Sequence, residues 1–177
     1  MKTKLLLALL VPALYVVSSC DDPKKANNYN QETTVNQSSL NFINTAIDGG
    51  RTEVKLANVA TQVSQNPRIL HFAKMMITDH TKGIEELKAL RKKALINPND
   101  VLNSEHRKLI DSLSKLSGTE FDKAYMQAMV SDHEKAVDLF REETQEREAS
   151  VQTLARKTLP TLEMHLDSAK AIDAALK

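Results

Sequence analysis

One cysteine, no tryptophan, four glycines and five prolines in 177 residues exclude several ways of building a protein. With Cys20 as the only cysteine, neither an intrachain disulfide nor a cysteine-based metal site can form. The shortage of glycine, proline and aromatics (three Tyr, four Phe) argues against a loop-rich or strand-rich fold. Alanine, leucine, lysine and glutamate dominate instead, which favours an all-helical protein with seams of small and aliphatic side chains. Neither sign of charge prevails: the formal net charge is +1, so nothing attracts nucleic acid or an acidic membrane surface. The length suits one domain with a real core plus flanking segments.

The first residues stand apart from that domain. Lys2 and Lys4 precede a 13-residue apolar run, 5–17, and then the small residues Ser18 and Ser19 before Cys20. The run is too short for a permanent membrane anchor but suits a secretory signal. A cysteine after small residues resembles a bacterial lipoprotein cleavage box. The expectation is a signal peptide over 1–19 and a lipidated Cys20 that tethers the chain to the cell envelope, at the outer membrane or facing the periplasm. Removing 1–19 takes Lys2 and Lys4 from the 24 basic residues, leaving 22 against 23 acidic and a net charge of −1. Residues 20–37 are polar and aperiodic and read as a disordered tether reaching on the order of 20–25 Å.

From 38 to 177 the apolar pattern is helical almost throughout. Four long helices are expected over 38–65, 67–97, 119–146 and 150–176, with a short one over 104–116 in the long connector. Asn66-Pro67 supplies a cap and a first-turn proline, so the first two long helices form an antiparallel hairpin. The connector is long enough to cross the bundle, which leaves open whether the second and third long helices run parallel or antiparallel. Pro160 should bend the last helix, either aiming His165 or as a tolerated kink.

Each long helix can be threaded on a 3–4–3–4 apolar seam. Each seam is interrupted by one strongly polar residue: Glu53, His80, His133 and His165 in turn. All four lie 13 to 16 positions after their helix starts, which at about 1.5 Å per residue is close to mid-height. In an antiparallel bundle they fall in one central layer. With the connector crossing, one neighbouring layer holds Met76 and Met129. The other holds Gly50, Gly83, Ala136 and Leu162, small enough to leave a cavity. His71 and His106 lie off the seams and read as surface residues.

An unsatisfied buried polar group costs roughly 1–3 kcal/mol, so this layer needs a purpose or a network. It either satisfies itself, with waters and neighbours such as Asp79 and Asp132, or holds a single transition metal ion. One carboxylate and three imidazoles suit Zn, Cu, Fe or Ni. Asp79 and Asp132, each just before a histidine, are placed to orient a ring on a neighbouring helix or to pair with Lys82 and Lys135. Met76 and Met129 lie on the same faces as His80 and His133, as core filler or as soft thioether ligands. No nucleophile–base pair, phosphate loop or cofactor fingerprint is visible.

Five stretches carry a family resemblance over about 40–175. They are Glu53-Val-Lys-Leu-Ala-Asn-Val-Ala60, Ala73-Lys-Met-Met-Ile-Thr-Asp-His80 with Lys82, Gly118-Thr-Glu-Phe-Asp-Lys-Ala-Tyr125, His133-Glu-Lys-Ala-Val137 and Leu159-Pro-Thr-Leu-Glu-Met-His165. Together they resemble the bacterial family called domain of unknown function 4142. Ala57 stands where that family often has glycine. The resemblance implies a ferritin-like four-helix bundle in the cell envelope, with no reaction attached. Ferritin-like proteins that hold two irons use Glu-x-x-His pairs, and none occurs in this sequence, which disfavours a di-iron oxidase. Two functions remain in play: a lipid-tethered protein that binds one transition metal for buffering or stress protection, and a structural or protein-interaction module whose layer fixes helix register.

Overall fold

Three asparagines start three of the helices. The side chains of Asn36, Asn66 and Asn103 accept hydrogen bonds from the backbone N–H of Ser39 (2.8 Å), Arg68 (3.0 Å) and His106 (2.8 Å). Each satisfies a first-turn donor that the helix itself leaves free. The computed structural model describes residues 36–93, 101–145 and 148–176. Among the described residues there are five helices: α1 (Gln37–Val63), α2 (Pro67–Lys93), α3 (Ser104–Leu113), α4 (Gly118–Glu143) and α5 (Ala149–Ala175). The expected signal peptide, Cys20, most of the tether, and the end of the second long helix near 97 lie outside the described residues.

The helix boundaries follow local chemistry. Ser64 closes α1 in extended conformation, and its hydroxyl accepts from Asn66 N–H at 3.2 Å, so the chain reverses within three residues before Pro67. At the first residue of α4 the chain takes a left-handed conformation, which Gly118 supplies at φ 55°. Helix α5 is continuous through Pro160.

Two apolar clusters show the direction of each helix. One takes Leu56 and Ala60 from the second half of α1 and Phe72 and Met76 from the first half of α2. It adds Phe121, Tyr125 and Met129 from the first half of α4, and Ala169 and Ile172 from the end of α5. The other takes Phe42 and Ile47, Ile84 and Leu87, Val137 and Phe140, and Val151 and Leu154 from the opposite ends. Helices α1 and α5 therefore run one way, and α2 and α4 the other. The helices that pack are α1 with α2, α4 with α5, α1 with α4 and α2 with α5, every pair antiparallel. The connector crosses the bundle, and α3 lies against α1 and α4. This is an all-α, ferritin-like four-helix bundle with a short extra helix in the crossover.

Aromatic contacts fill both ends. Phe42 meets Phe140 edge-on at 4.9 Å in one cluster, and Phe121 stacks on Tyr125 at 5.5 Å in the other. Each fully buried Ile, Leu, Phe or Met contributes roughly 1.5–3 kcal/mol, so the two clusters hold the bundle together. The cross-helix ion pairs Lys157–Glu86, Lys170–Glu134 and Arg141–Glu163 are exposed and add little. Among the described residues, no helix is long and apolar enough to cross a membrane.

Candidate metal centre

Between the two clusters lies a polar layer. Glu53 from α1, His80 from α2, His133 from α4 and His165 from α5 are 3%, 9%, 0% and 1% exposed. The periodicity that buries Leu56 and Ala57 also buries Glu53, and Met76 and Met129 do the same for the histidines that follow them by one helical turn. The three imidazole rings stand around a common centre, with centroids 5.3, 5.3 and 5.5 Å apart.

Each ring uses one nitrogen to hold its position. Nδ1 of His80 lies 2.9 Å from Glu53 Oε2. Nδ1 of His133 lies 2.9 Å from the Met129 carbonyl and 3.3 Å from Glu53 Oε1. Nε2 of His165 lies 3.0 Å from Asp79 Oδ2. Carbonyls and carboxylates only accept, so those nitrogens carry the hydrogens. The remaining nitrogens, Nε2 of His80, Nε2 of His133 and Nδ1 of His165, are buried and have no partner. Donor atoms from these three residues all lie within 4.8 Å of one another, close enough to hold a metal ion. A histidine tied through one nitrogen to a carboxylate or carbonyl, with the other free, is the arrangement found behind metal ligands.

Glu53 stands behind the rings with both oxygens committed to His80 and His133. Asp79, on α2, orients the ring of His165 on α5. Its counterpart Asp132 instead faces Lys135 on its own helix at 3.5 Å. Met76 and Met129 are fully buried together in the first cluster, one turn from the layer.

The electrostatics agree with the contacts. Burial pushes the Glu53 carboxyl upward, but His80, His133 and His165 outweigh it and hold the group at about 2. Burial acts to lower His80, yet the Glu53 charge and hydrogen bond prevail and raise it. Burial lowers His133, and it lowers His165 to about 4 with the His80 charge adding to the effect. Without metal, the layer is thus a Glu53 carboxylate paired with His80, beside two neutral imidazoles. Burial raises Asp132, and the Glu53 charge adds to it.

Two features have no signal in the seams. His106 is not the surface residue expected: its side chain is 25% exposed, and its Nδ1 lies 2.6 Å from Asp48 Oδ2. Asp48 also accepts from the Asn103 backbone at 3.1 Å, so one α1 carboxylate staples the start of α3 beside the layer. An isolated short helix offers no periodicity from which to read a tertiary contact, so only the fold reveals this pair. His71 is exposed as expected. Tyr125, two turns from His133 on α4, is fully buried and its hydroxyl has no partner. Burial raises its phenol, with the Glu53 charge contributing.

A cavity of about 340 Å³ opens from the layer toward the second cluster. Gly50, Gly83, Ala136 and Leu162 line it, as the seams predict for a crossing connector, and His80, His165 and Glu53 reach it from the layer.

A family model described as domain of unknown function (DUF4142) matches residues 24–172, well over half of the chain. No curated protein matches. Among solved structures, the crystal structure of a DUF305 fragment from Deinococcus radiodurans is similar. It shares 15% sequence identity and a TM-score of 0.72, covering 80% of this chain and 98% of that one. At that identity the likeness speaks for the fold alone.

Proposed function

We propose that this chain, which belongs to the DUF4142 family, is a lipid-anchored envelope protein that binds a single transition metal ion through His80, His133 and His165. One observation carries the proposal. Three buried imidazoles from three helices each commit one nitrogen to an acceptor and leave the other unpartnered, and a ring nitrogen from each of the three lies within 4.8 Å of those of the other two. Left alone, three orphaned ring nitrogens are expensive; a metal ion removes the cost at a stroke. Glu53 and Asp79 then act behind the ligands, fixing ring orientation and raising ligand basicity. Three neutral nitrogen ligands suit Zn, Cu, Fe or Ni, with at least one coordination position left over. Metal buffering or protection against metal stress is the role this supports, with Cys20 as the lipid attachment after cleavage of 1–19. A di-iron reaction is not supported, because no Glu-x-x-His pair exists.

The alternative, an interaction module with a self-satisfied layer, draws on the Glu53–His80 contact, which needs no ion to form. Elemental analysis of the purified chain separates the two. Near-stoichiometric Zn, Cu, Fe or Ni, lost in His133→Ala and His165→Ala, supports the metal site. A metal-free protein whose thermal unfolding is unmoved by any of these ions refutes it.

A further inference from the structure

The chain has four glycines, and three of them, Gly49, Gly50 and Gly83, lie inside long helices and line the same cavity. Glycine weakens a helix interior relative to alanine. Conformation does not demand it here, since Gly118 is the glycine with positive φ. Packing demands it at one position of three. A Cβ on Gly50 would meet Ile84 Cγ1 at 3.3 Å, whereas one on Gly49 or Gly83 would have nothing within 4 Å. The space beside Gly49 and Gly83 is therefore kept clear of side chains at a cost to the helices. A second observation points the same way. His80 and His165 also line this space, and each has a buried ring nitrogen with no partner.

The chemistry of the walls restricts what fits. Ile84, Leu87, Leu139, Phe140, Leu154 and Leu162 make most of the chamber apolar, and His80 and His165, with Glu53, Asp79 and Asp132 beside them, mark its polar end. Its rim reaches solvent at Lys135. Three imidazoles leave a bound ion with an open position and no charge neutralised by its own ligands. Glu53 and Asp79 are already committed to the rings. A carboxylate supplies an oxygen donor that can fill the open position, and the apolar walls beyond it accept a hydrocarbon tail.

We infer that the cavity is a binding chamber for a small, largely apolar carboxylate, whose head takes the open position on the metal and whose hydrocarbon tail lies between Gly49 and Gly83. This rests on the metal site proposed above. A volume of about 340 Å³ falls within the range of small-molecule pockets and exceeds what one water or one acetate occupies.

Calorimetric titration of the full chain tests the inference. The chain is first loaded with Zn²⁺, Cu²⁺ or Ni²⁺, whichever it retains, and then titrated with octanoate and, separately, with acetate. Octanoate should bind at least tenfold more tightly than acetate. Gly83→Leu and Ala136→Leu, which grow a side chain into the chamber from two different helices, should retain the metal and lose the octanoate preference. Either variant suffices if the other fails to fold. Retained metal with equal octanoate and acetate affinity overturns the inference and leaves the metal site standing. So does an octanoate preference undiminished in a folded, metal-loaded variant. Absence of metal uptake overturns both.

Discussion

Gly83→Ala is the sharpest test of the packing around the central layer. Position 83 lies well inside α2, half-buried, with nothing within 4 Å of where a Cβ would go. Alanine is better than glycine in a helix interior by about 1 kcal/mol, through reduced freedom of the unfolded chain. No steric term opposes that gain at this site. For a domain of roughly 140 residues, unfolding entropy near 2 cal/mol/K per residue converts about 1 kcal/mol into a rise of about 3 °C in Tm. Gly50→Ala provides the internal contrast. Its Cβ would sit 3.3 Å from Ile84 Cγ1 and 3.7 Å from His80 Nδ1, so crowding offsets the helix gain and the net change is near zero or negative. The assay is thermal unfolding of the metal-free chain by far-UV circular dichroism. A Gly83→Ala protein that melts below wild type would refute the reasoning, because some atom would then occupy the space where the structure has none.

Removing one partner of the buried Glu53–His80 pair should cost about 3–5 kcal/mol in metal-free protein, and denaturant titration of Glu53→Ala measures it. The Glu53→Ala, His80→Ala double variant should lose less than the sum of the singles; strict additivity would mean the pair does not interact. Asp79→Asn should leave stability within about 1 kcal/mol, since Asp79 is partly exposed, yet weaken metal binding 10- to 100-fold by releasing the His165 ring. An unchanged dissociation constant for the metal would remove Asp79 from the site. The pH dependence of metal-free stability has a definite sign. His165 is held near 4 in the fold against 6.5 in the unfolded chain, so the unfolded state binds the extra proton and stability falls as pH drops from 6.5 toward 4. His80 is raised, so its contribution is complete below 6.5 and fades as pH climbs through its folded value. Denaturant midpoints across that range check both, and His165→Gln should flatten the acid side.

Periodicity alone was enough to find the four central residues. Glu53, His80, His133 and His165 interrupt their seams at similar depth, and helix geometry turns equal depth along the chain into one layer across an antiparallel bundle. The helix start at Asn66 was read from an equally local signal, and the caps at Asn36 and Asn103 that the structure adds are of the same kind, because a cap bonds a backbone N–H two or three residues away. These features depend on separations of a few residues, and the sequence by itself determines them.

The tertiary structure decided the rest. Whether α2 and α4 run parallel depends on the path of the connector, and either path satisfies the same seams; the crossing brought Met76 and Met129 together and left the cavity beside Gly83. It also decided that Glu53 faces two Nδ1 atoms, that Asp79 rather than Asp132 holds a ring, and that His106 meets Asp48. Hydrogen bonds distinguish partners by a few tenths of an ångström and by which face of a ring is turned toward which helix. Those quantities arise only when separate helices pack, so no pattern along one chain can contain them.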